Sequence, residues 1–152
     1  SRKLKARGIH TAIETTGYAS PGIFGKIVAE VDLLIIDVKH HDRKLHKQWT
    51  TVSNELPLRN LAWALDAGAE VLVRIPVIPG VNARCEDAEA FSRLLAPLGV
   101  RDVQLLPFHQ FGERKYELLG WDYRMSGVPP LHEEDLTEYV RTFDNFGVHA
   151  FF

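Results

Sequence analysis

The sequence predicts an α/β chain built from repeated parallel strand–helix units. Three observations predict it. Four short apolar runs are each halted by Gly, Pro or a polar cluster, the segments between them carry apolar residues at helical spacing, and strand and helix alternate throughout. Such alternation argues for right-handed βα units around a parallel sheet. A closed barrel normally needs eight strands and about 250 residues. The residues therefore leave two architectures open, a small doubly wound sheet and part of a barrel.

The opening Ser-Arg-Lys-Leu-Lys-Ala-Arg-Gly has the look of a basic last helical turn stopped by Gly8. Gly8 to Thr15 alternates as a strand does, and Gly17 breaks it. Ile23, Ile27 and Val31, with Phe24 and Val28 beside them, mark the first helix. Leu33 to Val38 (LLIIDV) is an apolar run of the kind a strand buried on both faces shows. Leu58, Leu61, Ala62, Leu65 and Ala69 follow the i, i+3, i+4, i+7 pattern, with Gly68 as a stop. Val71 to Ile78 (VLVRIPVI) is a third strand. Ala88, Phe91, Leu95 and Leu98 form the next helix, with Glu86 and Asp87 placed to favour its N-terminal dipole. Val103 to Leu106 is the fourth strand, halted by Pro107. Gly112 to Pro130 reads as an extended irregular loop over the active face. Leu136, Tyr139, Val140, Phe143 and Phe146 form a last helix led by Glu133, Glu134 and Asp135, and Val148 to Phe152 suits one more short strand.

Composition narrows the function classes. The 152 residues suit one domain spanning 1–152. With 18 Lys and Arg against 20 Asp and Glu, the formal charge is -2, so there is no broad basic field for nucleic acid. Asp32 and Asp37 interrupt the longest apolar stretch, Val31 to Val38, which speaks against a membrane span. The single cysteine, Cys85, can neither close an internal disulfide nor hold an iron–sulfur cluster by itself. These features read as soluble and cytoplasmic. The absence of an initiating Met, together with a helix end at the start, reads as a piece of something longer.

Ligands and catalysis gather at the C-terminal ends of the strands in parallel βα folds. Here each strand ends in polar residues: Glu14-Thr15-Thr16, Asp37-Val38-Lys39-His40-His41, Arg74 before Pro76, and Pro107-Phe108-His109. The two-residue period puts Asp37 and Lys39 on one face of the second strand. It puts Leu72, Arg74 and Pro76 together on the third, and Leu105, Pro107 and His109 together on the fourth. Carboxylates, an ammonium, a guanidinium and an imidazole then converge on one mouth suited to a zwitterion. Each alone has a plainer reading. Asp37 and Lys39 make an ion pair, Arg74 is a structural partner for Glu14 or Asp37, and His109 is a satisfied or solvated histidine. His40-His41 read as a loop pair rather than metal ligands, Cys85 as structural, and Trp49 and Trp63 as packing.

The segments ETTGY (14–18), LLIIDVKH (33–40), VSNELPLRNL (52–61), VRIPVIPG (73–80) and LLPFHQFGERKYELLG (105–120) carry a resemblance. In this order and spacing the chain resembles the activating enzymes of glycyl radical enzymes, and among them the pyruvate formate-lyase activators. The resemblance implies the later βα units of a partial (β/α)6 radical-SAM barrel of the TIM type, truncated at its N-terminus. It implies S-adenosylmethionine and a 4Fe–4S cluster as cofactors. It implies an oxidoreductase whose 5′-deoxyadenosyl radical abstracts hydrogen from a backbone glycine of a partner such as pyruvate formate-lyase, with flavodoxin as electron donor. Glu14, Thr15, Asp37, Val38, Lys39, Arg74 and His109 then map to the cofactor, and Glu14, Thr15 and Asp37 also to a monovalent cation. Glu14 departs from the Asp of the pyruvate formate-lyase activators. The family's Cys-x3-Cys-x2-Cys and Gly-Gly-Glu motifs are absent from these residues, so the resemblance implies a C-terminal fragment, inactive alone. From the residues themselves, a Schiff-base lyase using Lys39, a metal hydrolase using Glu14, Asp37 and His109, and an inert half-barrel stay open.

Overall fold

The computed structural model describes residues 2–152, apart from the side chain of Arg2; Ser1 of the expected opening turn lies outside them. Helix α1 (Arg2–Lys5) leads through Gly8, at φ 70°, into β1 (Ala12–Thr15). The first strand starts four residues later than its alternation predicts. Thr11 is instead claimed by Asp32, whose carboxylate accepts from the Thr11 N–H at 2.8 Å and from its hydroxyl at 2.9 Å. Those bonds, with Lys5 alongside, hold the Asp32 carboxyl down to about 2.

Helix α2 (Pro21–Val28) starts on Pro21, whose missing N–H costs nothing in a first turn. It buries Phe24 edge-on against Trp63 of α4 (Glu55–Asp66), with ring centroids 6.2 Å apart. Gly25 permits this approach, because a Cβ there would stand 3.3 Å from the Trp63 ring. Trp63 is 47% exposed, so this packing covers it only in part.

Between them run β2 (Leu33–Asp37) and α3 (Arg43–Thr50). The sequence pattern does not foretell α3, whose apolar residues are few. Its start is fixed by Asp42, which accepts from the Lys44 and Leu45 N–H groups at 2.8 Å each. Next come β3 (Val71–Val77), α5 (Cys85–Leu95) with a 3₁₀ turn to Leu98, and β4 (Asp102–Pro107). The stretch expected to be irregular after Gly112 holds a helix, α6 (Glu113–Leu119), ended by Gly120 at φ 65°. A 3₁₀ turn over Glu133–Leu136 then leads into α7 (Thr137–Asp144), and β5 (His149–Phe151) follows.

The five strands lie parallel in the order β1-β2-β3-β4-β5. Each crossover joins neighbours and advances the same way. Right-handed connections of that kind put every helix on one face, whereas a doubly wound sheet must reverse direction. The fold is therefore the barrel type. Leu34, Ile36, Val73, Ile75, Val77, Val103 and Leu105 point into the helix layer, where they meet Leu61, Phe91, Leu95, Tyr139 and Phe143. Full burial of one such side chain is worth about 1.5–3 kcal/mol.

The other face carries Leu33, Ile35, Leu72, Gln104, Leu106 and Phe151, all partly exposed. On β4 the alternation is one residue out of step with expectation. Leu105 is fully buried among the helices, and Gln104 and Leu106 share the face of Arg74. β1 pairs only with β2 and forms one edge of the sheet.

Candidate functional site

The site is built at the C-terminal ends of β1, β2 and β3. Asp37 closes β2 and stands in register with Arg74 on β3. Its two oxygens serve two cations: Oδ1 accepts from Arg74 Nε at 3.2 Å and Oδ2 from Lys39 Nζ at 3.1 Å. Nη2 of the same guanidinium meets Glu14 of β1. Opposite charges therefore alternate along Glu14, Arg74, Asp37 and Lys39. The inner pair is shielded, with Asp37 at 17% and Arg74 at 16% side-chain exposure, while Lys39 (36%) and Glu14 (57%) lie open. Such a set presents one ammonium and one carboxylate outward, each already oriented by a neutralising partner.

A cavity of about 220 Å³ adjoins these groups, lined by Asp37 and Lys39 together with Tyr18, His46 and Val52. Cofactor sites commonly enclose about 300–1,000 Å³, so this one accommodates part of a cofactor. Tyr18 and His46 are lining residues that sequence reasoning missed. Proximity to the ETTG turn was the available signal for Tyr18. His46 carried none, because the helix bearing it was not foreseen.

The remaining expected residues are placed differently. Thr15 falls on the other side of β1 from Glu14, and its hydroxyl accepts from the Gly17 N–H at 3.1 Å. Glu14 and Asp37 both meet Arg74, so neither carboxylate stands free for the expected cation. Val38 is buried toward the helices, and its N–H donates to the Arg74 carbonyl at 2.8 Å. His109 lies beyond β4, exposed. Its Nδ1 accepts from the Phe111 N–H at 3.3 Å, and its ring rests on Phe111 with centroids 4.2 Å apart. Among the described residues no hydrogen bond or ion pair joins it to the other four groups. Of the expected set, the structure brings together Glu14, Asp37, Lys39 and Arg74.

His40 and His41 lie just past the strand with rings 4.5 Å apart, and with Asp87 they form a compact group. Both nitrogens of His40 are in use, since Nδ1 accepts from the Asp42 N–H at 3.0 Å and Nε2 faces the Val81 carbonyl at 3.2 Å. Burial, and then the neighbouring His41, push its pKa down. His41 Nε2 meets Asp87 Oδ1 at 3.0 Å. Burial opposes the charge on Asp87, yet hydrogen bonds from Arg84 and His41 outweigh it and hold the carboxyl below its ordinary range. The group is a structural network, in keeping with a loop pair. Cys85 is exposed at the head of α5, the helix start where its sequence position put it.

No family model matches the chain. It is 41% identical over 147 residues to the choline trimethylamine-lyase activating enzyme of Oleidesulfovibrio alaskensis, covering 92% of this chain and 47% of the relative. It is 36% identical over 145 residues to the 4-hydroxyphenylacetate decarboxylase activating enzyme of Clostridioides difficile, covering 94% and 46%. Among solved structures, a domain of a pyruvate-formate lyase-activating enzyme from Bacteroides vulgatus superposes with a TM-score of 0.78 at 26% identity, covering 98% of this chain and 84% of that one. The chain spans about half the length of the curated relatives it matches.

Proposed function

Because the chain belongs to the family of glycyl radical enzyme activating enzymes, we propose that it supplies the S-adenosylmethionine-facing half of such an activator. The observation that carries this reading is the Asp37 carboxylate held between Arg74 and Lys39 beside the 220 Å³ cavity. An amino-acid zwitterion presents one carboxylate and one amine. Lys39 offers its ammonium to the first and Glu14 its carboxylate to the second, each oriented by the shielded Arg74–Asp37 pair between them. The donor set fits that part of the cofactor. The proposed contacts are confined to these four groups, since Thr15, Val38 and His109 stand apart from them and the Glu14 and Asp37 carboxylates are already engaged by Arg74 rather than by a monovalent cation.

An iron–sulfur cluster does not fit these residues. It needs three or four cysteines, and Cys85 is the one cysteine in the sequence. In this reading the cluster's thiolates come from a part of the activator outside these 152 residues. Cluster and S-adenosylmethionine together supply one-electron, hydrogen-abstracting chemistry when bound. The work of this chain's own residues is to bind and orient: Lys39 holds the carboxylate end, and the shielded Asp37, itself braced by Arg74, keeps the ammonium aimed. The partner is a glycyl radical enzyme, pyruvate formate-lyase or a relative, and the electron donor is a flavodoxin-like protein. Among the described residues no helix is long and apolar enough to cross a membrane; a cytoplasmic location belongs to the proposal.

The test is a titration of S-adenosylmethionine into the ¹⁵N-labelled chain. Shifts concentrated at residues 14–18, 37–41 and 74 support the reading. A spectrum unmoved at millimolar ligand overturns it.

A further inference from the structure

Lys39 lies beyond the sheet. β2 ends at Asp37, and the last ladder bond on this side is from the Val38 N–H to the Arg74 carbonyl. What fixes the backbone after that point is a set of buried side-chain amides. Asn82, fully buried in the loop after β3, donates through Nδ2 to the Lys39 carbonyl at 3.2 Å and to the Pro76 carbonyl at 2.8 Å. Its Oδ1 accepts from the Ile78 N–H at 2.7 Å, and its own carbonyl accepts from the Tyr139 hydroxyl at 3.0 Å. Both donors of the amide and its acceptor are thus satisfied.

Asn54 continues the pattern. It stands at the N-cap of α4, where an Asn side chain ordinarily bonds the helix's own N–H groups, yet it makes no such bond. Its Nδ2 instead donates to the carbonyls of His40 at 3.2 Å and His41 at 2.9 Å. Three successive carbonyls, of residues 39, 40 and 41, are therefore gripped by two buried amides. The His40 ring ties the same turn to the Val81 carbonyl.

We propose that Asn82 is a positioning residue for Lys39: by holding the Lys39 carbonyl in the helix layer, it turns the ammonium onto Asp37 at the cofactor mouth. This rests on the functional reading above. No other side chain of this size serves. Asp keeps the acceptor for Ile78 but lacks both donors and sets a charge against two carbonyls; Leu leaves all three groups unsatisfied.

The test compares Asn82→Asp with Phe143→Leu, a core variant in α7 that leaves the amides untouched. Two readouts are taken: the S-adenosylmethionine Kd and the hydrogen-exchange rates of the Val38 and Asp42 amides, the hydrogen-bonded N–H groups on either side of the clamped carbonyls. Asn82→Asp is expected to raise the Kd about tenfold and the exchange rates at least tenfold. Phe143→Leu, with a similar fall in Tm, should leave the Kd within about twofold. A folded Asn82→Asp chain with wild-type Kd and exchange overturns the proposal, as does equal weakening by Phe143→Leu. If Asn82→Asp does not fold, Asn82→Ser takes its place under the same criteria. If the wild-type chain itself binds no cofactor, the functional reading fails, and the exchange rates alone decide the clamp.

Discussion

Asp37 and Arg74 occupy paired positions on neighbouring parallel strands, and the Arg74 Nε–H donates to Asp37 Oδ1 at 3.2 Å. The register places a guanidinium opposite a carboxylate on the face left uncovered by helices. Neither group is deeply buried, so the pair is a modest source of stability. Removing one member leaves the other shielded and underpaired, which costs more than the pair itself contributes.

Arg74→Ala should therefore destabilise the chain by about 1–3 kcal/mol, the cost of leaving a shielded polar group short of a partner. It also releases Glu14. Arg74→Lys should recover only part of the loss, because an ammonium lacks the fork that reaches both carboxylates. Urea unfolding measures both. A wild-type midpoint in Arg74→Ala would contradict the network.

In the whole activator, Lys39→Ala should keep the cluster, bind S-adenosylmethionine about ten- to a hundredfold more weakly and yield little glycyl radical. The range follows from losing a charge-assisted hydrogen bond of about 1.5–3 kcal/mol. Cofactor binding and electron paramagnetic resonance read the two effects. His41→Ala, whose ring faces Asp87 rather than the mouth, should change neither. Undiminished binding in Lys39→Ala would remove Lys39 from the site.

The register of β4 predicts an asymmetry between adjacent leucines. Leu105 is fully buried in the helix layer and Leu106 only partly covered. Leu105→Ala should cost about 2–5 kcal/mol, and Leu106→Ala clearly less. Equal losses on chemical denaturation would mean that the strand is turned the other way.

His40 makes stability depend on pH. Its folded-state pKa lies below the ordinary 6.5, so beneath that value the unfolded chain takes up a proton that the native state resists. His41 adds to the shift, while Asp42 and Asp87 oppose it. The contribution is fully present above about 6.5 and is lost as the pH falls further. Urea midpoints measured from pH 7.5 to 5 should decline, and His40→Gln should flatten the slope. A level wild-type profile would refute this.

Much was legible in the sequence because it is local. The runs LLIIDV and VLVRIPV are apolar on both sides of their pleat, as parallel strands commonly are, although here the side away from the helices is only partly covered. The period of two suggested Asp37 with Lys39, although Lys39 lies past the end of β2 and other contacts hold it there, and the motif order identified the family. Helices α3 and α6 were hidden because capping and Gly stops, not apolar periodicity, define them.

Tertiary structure decided the rest. The uniform advance of the strands settled barrel type over doubly wound sheet, since nothing local encodes which neighbour a strand chooses. The face of Leu105 was set by pairing with β3, because a one-residue slip in register exchanges the two sides of a strand. The grip of Asn54 and Asn82 on residues 39–41 joins segments 13 to 43 residues apart. An asparagine in a sequence does not say which distant carbonyl its amide will reach; that depends on where folding buries it.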